Sequence, residues 1–412
     1  MSRKGPERTA VPIAAMVAGL CALAAQPLPP LAAAPAPPPA GVKRDATAAL
    51  SRDPLDLAFR FATAIEVDPN DQALAQGQVV AELILLGRLD EAGERVARIK
   101  GWRQGAACAD IARAFAEQGK PDRARAFLAQ ADAIRLTTPD WGGPRIAAHM
   151  AQALAVLGDV ERSTALAQEV TSADARQYSG RAAATIADGL ARQGDFAGAM
   201  ARLKALDAER DYDVALWRTT GYLDLARRPD VAAGEWSQAL GAARGSADGV
   251  PGWKRGEVLV AIGREYLGRK DMQSAREAFA AAATVIEPLP PTLPTRSALQ
   301  ADLAAAWGLL GEKEKARRLL DRGEREAPAA AVIDRPGAWG ALAGARWSIG
   351  DHAAARALYG RAFTEAEALV NARPRALAAV DICRSLARNH VDVGSGMQRR
   401  LNALLAGLRD PW

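Results

Sequence analysis

From Ala183 to Leu206 the chain reads AATIADGLARQGDFAGAMARLKAL, two short amphipathic segments that meet at Gly194-Asp195. Ile186, Ala187 and Leu190 fall on one stripe of an α-helix, and Ala199, Leu203 and Leu206 form a second stripe beyond the junction. Each segment has one face to bury, and too little length to bury it alone. Gly194 lacks the Cβ that resists the left-handed turn ending a helix, and Asp195 can accept from the free N–H groups that open the next one. A stop followed at once by a start predicts a helical hairpin.

Variations of this stretch recur with hinges at Gly87, Gly119, Gly158, Gly194, Pro229, Lys270, Gly311 and Gly350, spaced 32 to 41 residues apart. Seven residues before the hinge a small side chain returns as Ala112, Ala151, Ala187, Ala304 and Ala343, where two helices must approach closely. Eight before it stands an aliphatic residue or Met, as in Val79, Ile111, Met150, Ile186, Leu303 and Leu342. Four before it comes a bulky apolar residue, as in Leu83, Phe115, Leu154, Leu190, Tyr266 and Trp307. Five after it, Ala92, Ala124, Ala199, Ala275, Ala316 and Ala355 open the second helix. The hairpin at Pro229 is the most degenerate, with Tyr222 at the small position and Gly234 in place of the alanine.

This combination resembles the tetratricopeptide repeat family. Phe61, Ala64 and Pro69 in FATAIEVDPND add to the likeness, because they match the way that family's second helix ends and passes to the next repeat. The departure is the period, since the family's unit is about 34 residues and most spacings here are longer. The resemblance implies an all-α fold, a right-handed α-solenoid (superhelix) of about eight antiparallel helix hairpins. It spans roughly residues 45 to 390.

In chain order, residues 1–25 read as a secretory signal or N-terminal anchor, with a basic start at Arg3, Lys4 and Arg8, an apolar run from Ile13 to Ala25, and a small-x-small site at Ala22-Leu23-Ala24. Cys21 as a lipid carrier is disfavoured by Leu20 before it. Residues 26–44 form a Pro/Ala-rich linker that cannot pack a core. Residues 45–412 are expected to hold the repeat array, with a helix starting at Asp53-Pro54, an apolar-striped helix from Ala376 to Ala387, and a C-terminal capping helix from Gln398 to Leu408. These features predict an exported bacterial protein, periplasmic or extracellular, or one held at the membrane by its N-terminus.

The formal net charge of +5 is small for 412 residues, and bases alternate with acids, as in GEKEKARRLLDRGERE from Gly311. That pattern makes solvated helix faces and argues against nucleic acid as a partner. Cys108 and Cys383 sit on first helices of distant hairpins, so they read as buried thiols, Cys383 standing where other repeats put the small residue. His149, His352 and His390 share no metal-ligand spacing, no glycine-rich phosphate loop or nucleophile elbow occurs, and no carboxylate pair stands out. No metal or cofactor is expected. Trp102, Trp141 and Trp253 fall in or beside loops, where an indole folds back onto a hairpin or anchors a partner.

The expected role is a non-catalytic scaffold whose first helices line a concave surface for a protein or peptide. In the family that the array resembles, groove-facing positions lie six and two before the hinge. Here they include Arg113, Glu117, Gln152, Asp188, Arg192 and Arg264. The alternative is an exported enzyme acting on glycans, built as a closed helical toroid. An elongated curved array would favour the scaffold, and end-to-end closure the toroid.

Overall fold

The computed structural model describes residues 52–138, 141–172, 176–206 and 212–408. The signal at 1–25 and the linker at 26–44 lie outside the described residues. The helical region belongs to one compact unit, Leu50–Trp412. Nineteen α-helices and no strand occur among the described residues. None of these helices is long and apolar enough to cross a membrane.

Numbered in chain order, the even helices are α2 (Pro69–Leu85), α4 (Trp102–Glu117), α6 (Gly143–Val156), α8 (Arg176–Arg192), α10 (Tyr212–Arg227), α12 (Gly252–Gly268), α14 (Pro294–Leu309), α16 (Arg335–Ser348) and α18 (Ala372–Arg388). The odd ones are α1 (Pro54–Thr63), α3 (Leu89–Val96), α5 (Pro121–Thr137), α7 (Val160–Ser172), α9 (Phe196–Lys204), α11 (Ala233–Ser246), α13 (Met272–Ile286), α15 (Lys313–Glu326) and α17 (His352–Glu367), with α19 (Ser395–Ala406) at the end. From α2 onward each even helix pairs with the odd helix after it and packs on the next even helix. The chain therefore forms the all-α solenoid of antiparallel hairpins that its repeats predict.

The hinge chemistry repeats with the hairpins. Gly87, Gly119, Gly158, Gly194, Gly311 and Gly350 all take positive φ, and so do Lys270 at 64° and His390 at 51°. At each of these eight hinges the next N–H reaches back to the carbonyl four before the hinge, as in Arg88 to Leu83 at 2.8 Å, Asp195 to Leu190 at 3.0 Å and Val391 to Leu386 at 2.9 Å. This closing bond satisfies an orphan carbonyl and brings the bulky residue at that position over the turn. Proline cannot take positive φ, and the hairpin at Pro229 has no such bond. There α10 ends at Arg227 and α11 starts only at Ala233. Beside Tyr222, a cavity of about 460 Å³ opens between α9, α10 and α11.

One feature departs from an open array: the ends meet. Asp53 caps α1 by accepting from Leu55 N at 3.1 Å, and Pro54 occupies its first turn, as the sequence predicts. However, α1 packs more extensively on α18, from the far end of the chain, than on its neighbour α2, and α18 also touches α2. Leu55, Leu57, Ala58, Phe61 and Ala62 are buried by this arrangement. α18 is a first helix followed by a hinge at His390 but by no second helix of its own, and α1 is a second helix with no first. The two complete one another as a ninth hairpin. The helix α19 then lies against α17, α18 and α1, where it covers the junction and not an open end. Its Arg400 bonds Glu367 and the Gly360 carbonyl.

The even helices touch one another in a closed circuit, whereas the odd helices from α1 to α17 make no comparable circuit and only α19 bridges two of them. The even layer is therefore the inner wall of a ring, and all nine of its helices run in the same direction.

Candidate functional site

The inner wall is the surface that the repeat presents nine times over. A cavity of about 970 Å³ confirms its concavity, because its lining comes from α12, α14, α16, α18 and the end of α2, together with the residues that flank them. Its floor is made of small, partly accessible side chains, Ala298 and Ala305 on α14 and Gly337 and Ala341 on α16. Arginines and carboxylates flank that floor, held to one another in ion pairs.

The six positions expected to line the groove all lie on even helices. Arg113 and Glu117 face each other along α4 at 3.6 Å, and Arg192 donates to Asp188 along α8 at 2.8 Å. Gln152 on α6 accepts from Arg181 on α8 at 2.8 Å. Arg264 on α12 binds Asp302 on α14 and lines the large cavity. The ring brings Arg113, Glu117 and Asp188 to bear together on one further carboxylate, Asp224 of α10. Arg264 lies apart from that group.

The Asp224 side chain is 62% exposed, yet its carboxyl is pushed up to about 6. Burial is the largest cause, Arg227 and Arg113 oppose it, and Asp188 and Glu117 add to it. Both facts fit a wetted lumen: water reaches the carboxyl, but protein surrounds it and bulk solvent is remote. Asp381 on α18 behaves alike, raised by burial against the pull of Arg384.

Several wall residues fall outside the six. His149 on α6 shares its Nδ1 with Asp110 on α4 at 2.7 Å, while Arg181 reaches its Nε2 at 2.9 Å. A guanidinium can only donate, so Nε2 accepts and Nδ1 carries the proton toward Asp110. Burial works against ionised Asp110, but the interaction with His149, joined by Arg113 and Arg181, outweighs it and holds the carboxyl below its usual range. Arg181 also lies over the Trp217 ring, so the chain of contacts runs from α4 to α10. Next to α4 in the ring, Glu82 of α2 receives Arg388 at 2.9 Å and Arg384 at 3.5 Å, both from α18. A signal for these existed: with His390 as a hinge, Arg384 and Arg388 stand six and two before it, and Asp110, His149, Asp302 and Asp381 all stand nine before theirs.

The loop tryptophans divide. Trp102 and Trp253 pack against the core, whereas Trp141 is 61% exposed and meets Trp102 edge-on at 6.1 Å, with Arg145 over both rings. Cys108 and Cys383 are buried free thiols. Among the described residues no group of three or more His, Cys, Asp or Glu is placed to hold a metal ion.

No family model matches the chain, and no curated protein does. Among solved structures, one similar in part is described as a circular tandem repeat protein with novel repeat topology and enhanced subunit contact surfaces. It is 12% identical, with a TM-score of 0.28, over 86% of this chain and 94% of that one. What the chain itself establishes is a helical repeat protein.

Proposed function

We propose that the protein is a non-catalytic scaffold of the cell envelope or exterior that holds an extended protein or peptide segment against its inner wall. The observation that carries this reading is the wall's construction, a floor of Ala and Gly flanked by side chains that ion pairs already hold in place. A partner then meets a preformed surface and orders little on binding. Nine helices about 9 Å apart leave a lumen on the order of 15 Å across, wide enough for an extended chain but not for a folded domain. We further infer that the hairpins are tetratricopeptide-like, on the strength of the small residue seven before the hinge and the bulky one four before it. Affinity capture from the envelope fraction, with residues 41–412 as bait, tests the reading. An Ala341→Trp variant should lose the captured partner, because the indole fills the groove floor. Equal capture by both would remove the lumen from the argument.

Ring closure and the raised carboxyl of Asp224 favour a second reading, a toroidal enzyme acting on glycans. A protonated carboxyl near neutral pH can serve as a general acid, and Asp188 and Glu117 lie close enough to act on it. Release of reducing ends from a polysaccharide panel, lost in Asp224→Asn, would support this reading. A wild-type protein inactive on every member would leave the scaffold.

A further inference from the structure

The polypeptide runs from hairpin to hairpin around the whole ring, and its one break falls inside the ninth hairpin, where α18 meets α1 and α2 without a covalent link. Between inner helices alone, α18 with α2 and α10 with α12 are the two sparsest junctions, although α1 adds an extensive contact with α18 across the seam. The two are diametrically opposed: five inner helices, α2 to α10, lie on one side and four, α12 to α18, on the other. At the second junction the preceding hairpin has lost its left-handed hinge. The connection itself is a 3₁₀ turn at Ala247–Gly249 followed by Pro251 and Gly252, the latter at φ 52°. The groups that bridge it lie mostly on its outer side, among them Arg244 with Glu277 at 3.0 Å and the Trp236 ring edge-on to Tyr266 at 5.8 Å, while Arg227 with Glu265 at 3.6 Å joins the inner helices.

We propose that the ring is a two-armed clamp, hinged at α10–α12 and opening at the seam between α1–α2 and α18. The geometry also says which way α1 goes. Polar ties hold it to its own arm, from Arg88 to Asp53, Arg95 to Asp56, and Gln72 and Gln76 to Thr63, and the side chains it buries, Leu55, Leu57 and Phe61 among them, are apolar. When the arms part, α1 stays with α2 and α3 and uncovers α18. The ion pairs that must break are Glu82 with Arg384 and Arg388, and Arg373 with Asp68 and Asp71. A partner then enters from the side and need not be threaded by an end. The opening does not depend on what the lumen holds.

Two native thiols report on it. Cys383 lies on α18 seven before its hinge, at the position facing the paired outer helix, and Asp53 of α1 is close enough to act on it. Cys108 is equally buried but sits on α4, away from the seam. Alkylation of the full chain by N-ethylmaleimide in native buffer, followed site by site by mass spectrometry, should modify Cys383 at least tenfold faster than Cys108. Glu82→Gln should raise the Cys383 rate several-fold further and leave Cys108 unchanged. Equal rates for the two thiols in the wild type would mean that only global unfolding exposes them, and would overturn the clamp. A Cys383 rate indifferent to Glu82→Gln would mean that α1 frays while the arms stay together, and would overturn it too. Should Glu82→Gln fail to fold, Arg373→Ala at the rim of the same seam serves in its place.

Discussion

Arg388 donates through Nε to Glu82 at 2.9 Å across 306 residues of chain, and this contact ties the last inner helix to the first. The two partners are unequally placed. Glu82 is 2% exposed, while the Arg388 side chain is 54% exposed and can turn to water.

Removing opposite ends of this pair should therefore differ in effect. Glu82→Gln keeps an amide oxygen for the arginines to donate to, leaves Arg384 its bond to Asp381 and lets Arg388 turn to water, and should cost about 1 kcal/mol. The double change Arg384→Ala with Arg388→Ala strands a buried carboxylate and should cost about 3–5 kcal/mol. Urea unfolding of the three proteins checks the order.

Closure also changes what a terminal helix is worth. In an open array a change in the first helix frays one end, because stability is a sum over neighbours. Here Phe61 is fully buried on α1, a helix that packs on α18 from the far end of the chain. Phe61→Ala should cost about 3–5 kcal/mol, as a core phenylalanine does. The loss should show in the main unfolding transition followed by circular dichroism. An early, small, separate transition would mean that α1 is only an appendage.

How much of this was legible follows from the physics of each signal. Six hinges could be read because a left-handed residue is most easily glycine, and the small and bulky offsets because hairpin packing demands them at every copy. His390 hid the ninth hinge, since nothing in its side chain announces positive φ, and with it went Arg384 and Arg388 from the inner wall. The six residues expected at the groove are on α4, α6, α8 and α12 because their offsets from the hinge are counted along the first helix of each hairpin. Closure was not legible, because it depends on the summed rotation of nine hairpins, to which each contributes little. Yet its traces were present: Phe61 and Ala64 mark a second helix without a first, and Ala376 to Ala387 a first without a second.

Asp224 makes stability depend on pH in a stated direction. Its carboxyl ionises near the ordinary aspartate value of 3.8 when unfolded and at about 6 in the ring, so the folded state disfavours the charge. Below about pH 4 it is protonated in both states and costs nothing. As pH rises toward 6 the unfolded chain gains by ionising first, and the penalty is complete above that. Asp224→Asn should thus raise Tm relative to the wild type at pH 8, with the gap closing by pH 4. Paired thermal melts across that range test it, and a gap constant with pH would mean that the carboxyl is not raised.

The two left-handed hinges that lack glycine carry the last prediction. Lys270 and His390 hold φ at 64° and 51°, a conformation that costs a side chain with a Cβ roughly 1–2 kcal/mol. Glycine relieves that cost, less what it adds to the freedom of the unfolded chain. Lys270→Gly should therefore stabilise the protein by up to about 1 kcal/mol. His390→Gly should do the same while tightening the turn behind the seam. The reverse change at a hinge of the same geometry, Gly158→Ala with φ at 81°, should destabilise by about 1–2 kcal/mol, and a Cβ there would touch nothing. Because space is open, any loss at Gly158 reports backbone strain alone. Chemical denaturation of the three variants decides the matter: a gain at Lys270 with a loss at Gly158 places the cost in the left-handed turn, whereas losses at both would place it in the side chain that each hinge happens to carry.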